Sequence, residues 1–218
     1  MANNIYAVFG ASGFGREVMP LLRASVSGGQ IFFVDDTPPQ SFLNGHEVIA
    51  YDEFISLDAT NKYMTIAVAD ARVRQKLSER CLADGIKIIN VVASGNVTLD
   101  SVETGDGLIL CPFTVITSNV RIGKFFQANI YSYVAHDCVI GDYVTFAPGV
   151  KCNGNVQIGD YAYLGTGAII KQGRPGKPLR IGKGAVVGMG AVVTKDVADG
   201  AVVVGNPAKP LARKGLGG

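Results

Sequence analysis

The residues best equipped for chemistry are His136, the Asp137 that follows it, and Gly154 eighteen positions further on. Imidazole exchanges protons near neutral pH, so a histidine at the edge of a fold is a candidate general base. Asp137 could fix one ring tautomer and favour the charged ring. Neighbours on a strand point to opposite faces, so that contact requires a corner. A glycine leaves its backbone N–H open to a ligand. A base and an oxyanion donor on one edge are two components that acyl transfer to an amine requires, and no protein nucleophile is needed.

The surrounding pattern says what must hold these groups. Ile122, Ala128, Val134, Ile140, Phe146, Cys152, Ile158 and Leu164 recur every six residues, with Val144, Val150, Val156, Ala162 and Ala168 in a second register. A six-residue period marks a parallel β-helix, in which each repeat supplies one short strand and one corner. Three repeats close a coil, so residues eighteen apart stack at about 4.8 Å, and Gly154 is expected directly over His136. Weaker repeats over residues 98–120 carry Thr104, Leu110 and Ile116 in register. Residues 172–180 break the pattern and read as an extruded loop, after which Val187 and Val193 finish the solenoid. Phe125, Tyr131, Tyr133 and Tyr143 are expected to face outward, a suggestion of contact between subunits.

The first part of the chain has a different grammar. Strands are expected over residues 5–9, 31–34, 48–49, 64–68 and 86–92, with helices carrying Val18, Leu21 and Leu22, then residues 51–57, then Val73, Leu77 and Cys81 behind an N-cap at Asp70. Gly10-Ala11-Ser12-Gly13-Phe14-Gly15 joins the first strand to the first helix, where backbone amides can meet a polar ligand. Asp35 and Asp36 close the second strand, where a doubly wound sheet places the acid that contacts a ribose. The glycines run G-x-x-G-x-G rather than G-x-G-x-x-G, and only one mononucleotide-binding half fits the available length. The expected fold is thus an α/β Rossmann-like nucleotide-binding domain over residues 1–92, an all-β left-handed parallel β-helix over 93–204, and a C-terminal tail over 205–218.

Composition narrows the partners. With 20 Lys and Arg against 18 Asp and Glu, the net charge of +2 is not concentrated in any run that would track nucleic acid. No apolar run reaches membrane-spanning length and no signal-peptide pattern opens the chain, so a cytoplasmic location is expected. The four cysteines lack metal-type spacing, and Cys138 and Cys152 fall on inward positions, as reduced core thiols would. A zinc site of the carbonic anhydrase type needs three histidines, and the chain has only His46 and His136.

The repeats, the His136-Asp137-Cys138-Val139-Ile140-Gly141-Asp142 run, the closing Val203-Val204-Gly205-Asn206-Pro207-Ala208-Lys209 and the opening glycines together resemble the left-handed β-helix acetyltransferases. The group most similar is the sugar-nucleotide N-acetyltransferases, including the bacillosamine-pathway enzymes, with the sialic acid O-acetyltransferases nearby. The resemblance implies acetyl-CoA as donor, no metal, and a homotrimer with sites between subunits. It implies an acceptor that is a nucleotide-linked 4-amino-4,6-dideoxy sugar, with UDP as the expected nucleotide, held by Gly13, Asp35 and Asp36. Asn129 matches a position near the acceptor amine. On the donor side it implies Gly154 toward the thioester, Thr145 where some relatives carry a second histidine, Gly173 with Arg174, Lys177 and Arg180 in the loop, and Lys209, Arg213 and Lys214 near the 3′-phosphate. O-acetylation of a sialic acid, and a non-catalytic sugar-nucleotide scaffold, are the alternatives.

Overall fold

Six-residue spacing folds as the repeat requires. In the computed structural model, which describes residues 3–211, strands pair in parallel at intervals of eighteen: Gln127 with Thr145 and Thr145 with Tyr163, Tyr133 with Lys151 and Lys151 with Ile169, Arg121 with Val139 and Val139 with Gln157. Three flat faces result. The first runs from Val91–Val92 to Val202–Val204, the second from Val97–Thr98 to Val192–Val193, and the third from Val102–Thr104 to Leu179–Ile181. Every residue of the two apolar registers is buried and joins one continuous core. Stacking explains the β-branched choice, because each inward side chain packs on its equivalents in the coils above and below.

The extruded loop is shorter than the sequence pattern suggests. Val156–Ile158 pairs directly with Leu179–Ile181, a step of 23 residues, so Arg180 lies on a strand of the third face. Arg174 and Lys177 bond to each other across the turn at the loop's tip. The solenoid also continues past Val193. Val202–Val204 pairs with Val186–Val187, and Lys209–Pro210 folds back antiparallel on it, so Lys209 sits on a strand rather than in a frayed tail. Arg213 and Lys214 lie outside the described residues.

The N-terminal unit is a six-stranded sheet in the order β3-β4-β2-β1-β5-β6, with β1 (Asn4–Phe9), β2 (Gln30–Val34), β3 (Phe42–Leu43), β4 (His46–Ile49), β5 (Asn61–Ile66) and β6 (Lys87–Ile88). All pairings are parallel except the β3–β4 hairpin. Helices α1 (Gly13–Ser25), α2 (Tyr51–Ser56) and α3 (Ala71–Ala83) make the connections. The chain moves from β1 to β2 on one side and returns to β5 on the other, which opens a crevice at the carboxyl end of β1, where open parallel sheets lodge ligands.

Two expectations change here. The strand expected over residues 86–92 is two strands, because Val91–Val92 pairs with Ile109–Leu110 and belongs to the solenoid. Asn90 lies between them, its side chain accepting from the Leu108 N–H at 2.9 Å. In α3, Asp70 caps as expected, bonding the N–H groups of Arg72 and Val73 at 2.9 Å. The buried stripe, however, is Arg74, Ser78 and Cys81, while Val73 is 45% exposed. The neighbouring surface decides this: α3 packs on solenoid corners, whose carbonyls call for a donor rather than an apolar side chain.

Candidate active site

His136 is placed by a corner, not by a strand. Tyr133–Val134 ends the second face, and Asp137 turns the chain through the left-handed region at φ 58°. That conformation is uncommon outside glycine and tolerated by Asp and Asn. Ladder bonds to the adjacent coils fix the turn: Ala135 N–H to Cys152 O at 2.9 Å, Asp137 N–H to Ser118 O at 3.1 Å, and Asn155 N–H to His136 O at 2.8 Å.

The corner turns the two adjacent side chains toward each other. His136 Nδ1 lies 2.7 Å from Asp137 Oδ2. An ionised carboxylate only accepts, so Nδ1 carries the proton and the lone pair of the neutral ring is left on Nε2. Asn119 Nδ2 donates to Asp137 Oδ1 at 3.2 Å, from one coil below. The bond with His136, and then that with Asn119, hold the Asp137 carboxyl below the usual carboxylate range. Asn119 was absent from the sequence reading, although the same eighteen-residue step, applied to Asp137, points to it.

Gly154 stacks on this pair as the period demands. A side chain there would place its Cβ 2.5 Å from His136 Cε1 and Nε2. Gly154 is buried against the ring, while the ring itself stays half exposed. Among the described residues the Gly154 N–H donates to no backbone carbonyl, and its own carbonyl accepts from Gly173 N–H at 3.0 Å. Gly173 is equally constrained, since a Cβ would meet Asn155 O at 2.1 Å. Above it, Lys171, Arg174, Lys177 and Lys195 line a shallow cleft of about 340 Å³ shared with Asp196.

The other expected residues gather elsewhere. Asn129 stands at the opposite end of the second face, with Oδ1 accepting from Ile130 N–H at 2.8 Å. Together with Phe14, Gln127, Thr145, Pro148 and Tyr163 it lines a cavity of about 140 Å³ beneath the glycine loop. Gly13 begins α1 beside Phe14. Asp35 tightens the loop, accepting from Ala11 N–H at 3.1 Å and Thr37 N–H at 3.0 Å. Asp36 pairs with Arg80 at 2.8 Å, and that guanidinium also lies over the Tyr51 ring. Thr145 is on the first face, away from His136. Its hydroxyl accepts from Arg74 and donates to Ala69 O at 3.1 Å, so within this chain it joins the two units rather than standing beside Gly154.

Arg74 is a second residue that sequence reasoning passes over. Wholly buried, it donates to the carbonyls of Val68, Ala69, Phe125 and Tyr143 and to the side chains of Gln127 and Thr145. Burial pushes its pKa down to about 10. Phe125 and Tyr143, expected to face a neighbouring subunit, are covered by α3 of their own chain, with Tyr143 bonded to Ser78. Burial also raises the thiols of Cys81 to about 11 and Cys111 to about 12, which leaves them unreactive. No helix among the described residues is long and apolar enough to cross a membrane.

Comparison with known proteins identifies relatives over nearly the whole chain. Residues 6–81 match the PglD N-terminal domain family. The chain is 48% identical over 215 residues to GDP-perosamine N-acetyltransferase of Escherichia coli O157:H7, covering 96% of this chain and 97% of the relative. The structure of WeeI from Acinetobacter baumannii AYE superposes with a TM-score of 0.93 at 60% identity, covering 95% and 100% of the two chains. The acetyltransferase domain of PglB from Neisseria gonorrhoeae FA1090, in complex with acetyl coenzyme A, superposes with a TM-score of 0.85 at 32% identity, covering 96% and 100%.

Proposed function

The chain belongs to the hexapeptide-repeat sugar N-acetyltransferases and is an acetyl-CoA-dependent enzyme acting on an amino group of a sugar nucleotide; from that premise we propose that His136 is its general base and that transfer is direct. The amine nitrogen attacks the thioester carbonyl as its proton passes to His136 Nε2. The carbon–sulfur bond then breaks, and the leaving thiolate takes the proton back. Gly154 N–H supports the oxyanion, and Asp137 with Asn119 holds the ring. The observation that carries this reading is the Nε2 edge of His136 resting against Gly154 on an open corner.

The acceptor is a nucleotide-linked 4-amino-4,6-dideoxy sugar. Its nucleotide lies in the crevice of a Rossmann-like half near Gly13, Asp35 and Asp36, and its amine lies near Asn129. Asn129 and His136 stand at opposite ends of the same face, seven residues apart, which is about 23 Å in fully extended chain. Both must meet one amine, so a second copy supplies one of them, and a homotrimer with sites between neighbouring solenoids satisfies that need. The phosphates of acetyl-CoA follow the corner past Gly173 toward the cationic cleft at Arg174 and Lys177, and Lys209, on the terminal strand of the first face, is the further cation for the 3′-phosphate. Buried, free cysteines suit a cytoplasmic location.

UDP is the nucleotide expected from the sequence. GDP is the second reading, favoured by the full-length relative that acts on GDP-perosamine. O-acetylation and the scaffold reading give way to the amino-group chemistry of that relative. Incubation with acetyl-CoA and UDP-, GDP- and dTDP-linked 4-amino sugars, read by mass gain of one acetyl group, selects the nucleotide. A gain with none of them contradicts the acceptor class.

A further inference from the structure

The oxyanion donor has an orientation that something must fix. Gly154 N–H and Asn153 C=O share one trans peptide plane, so they point in opposite directions. The carbonyl is turned into the coil, where Cys138 Sγ donates to it at 3.3 Å and Cys152 Sγ lies 3.8 Å from the same oxygen. Both thiols are fully buried, and Cys138 Sγ is also 3.6 Å from His136 O. The Asn153 side chain is committed elsewhere, accepting from Tyr133 OH and donating to Ile170 O, each at 2.8 Å.

We propose that Cys138, seconded by Cys152, is a positioning residue for acetyl transfer: by holding Asn153 O inward, its thiol aims the Gly154 N–H outward at the thioester oxygen. This rests on the reading of Gly154 as oxyanion donor. One sulfur thereby ties the corner of the base to the corner of the donor in the next coil. A thiol is a weak donor, so the effect is a modest change in aim rather than loss of the site.

Isotope-edited infrared spectra of acetyl-CoA labelled with ¹³C at the carbonyl, bound to the whole protein, test it alongside kcat and KM. Cys138→Val keeps the volume and removes the donor; Cys138→Ser keeps a donor. The parent complex should shift the carbonyl band to lower frequency. Cys138→Val should lose most of that shift and about 5–10-fold in kcat, a fraction of the ~10²-fold that loss of an oxyanion donor brings, with KM for acetyl-CoA little changed. Cys138→Ser should recover both. A packing role would reverse the order, because valine suits an apolar core better than serine. A Cys138→Val complex with the parental shift and rate, or a serine variant poorer than the valine one, overturns the role of the thiol alone. A parent complex with no shift overturns the oxyanion reading beneath it.

Discussion

Two corner columns of the solenoid share one backbone and differ in everything else. Phe125, Tyr143 and Tyr161 turn one corner, and Ser101, Asn119, Asp137 and Asn155 turn another, all at φ between 54° and 61°. In the first column the rings stack at 5.1 and 5.5 Å, with Arg72 over Tyr161 at 3.7 Å, and α3 covers them. Stacking and burial offset the roughly 1–2 kcal/mol that a left-handed residue costs. In the second column the residues are small and polar, Ser101, Asn119 and Asp137 are exposed, Asn155 is half-buried and donates to Arg174 O in the loop, and His136 stands beside them. A repeat fold thus separates support from chemistry by what it places on equivalent positions.

That contrast can be pressed from its strongest point downward. Gly154→Ala drives a methyl group into the His136 ring and should lower kcat by about 10²–10³-fold, since displacement of about 1 Å is enough to misalign a base. Its melting temperature should stay near the parent's, because the displaced ring is half exposed; a parental rate would show that the stacking is incidental. In the covered column, Arg74→Met leaves several buried acceptors unpaired. It should destabilise the protein by about 3 kcal/mol in denaturant titration. A change below about 1 kcal/mol would mean the two units dock without that guanidinium.

A smaller effect is expected from Asp137→Asn. An amide can accept or donate, so the ring is no longer held to one tautomer, and kcat should fall about tenfold with KM values near the parent's. The folded-state pKa of Asp137 is depressed, so its contact with His136 is fully present above the ordinary carboxylate range and is lost only as pH falls through the lowered value. Asp137 thus stays ionised at assay pH, and the full, roughly tenfold parent-to-variant rate ratio should be present at pH 8. A ratio near one at that pH would contradict the assignment.

How much of this was legible follows from period. The solenoid, the stacking of Gly154 on His136 and the inward thiols all repeat locally, every six or eighteen residues, and were readable. The meeting of His136 with Asp137 was readable only on condition of a corner, because strand alternation separates neighbours and the turn at Asp137 reunites them. Arg74 was missed because helical periodicity looks for apolar residues, and the surface that α3 covers presents carbonyls. Phe125 and Tyr143 were recognised as outward-facing, but a period carries no information about which unit of the chain lies on a face. For the same reason the strand expected over residues 86–92 ran two units together: both halves are apolar, and only hydrogen-bond partners divide them.

The most direct test is the acetyl-transfer rate of His136→Asn with a nucleotide-linked 4-amino sugar and acetyl-CoA, both saturating, in protein whose melting temperature matches the parent. The account predicts that kcat falls by about 10²–10⁴-fold while KM for each substrate changes little. A variant that turns over at the parental rate would contradict it.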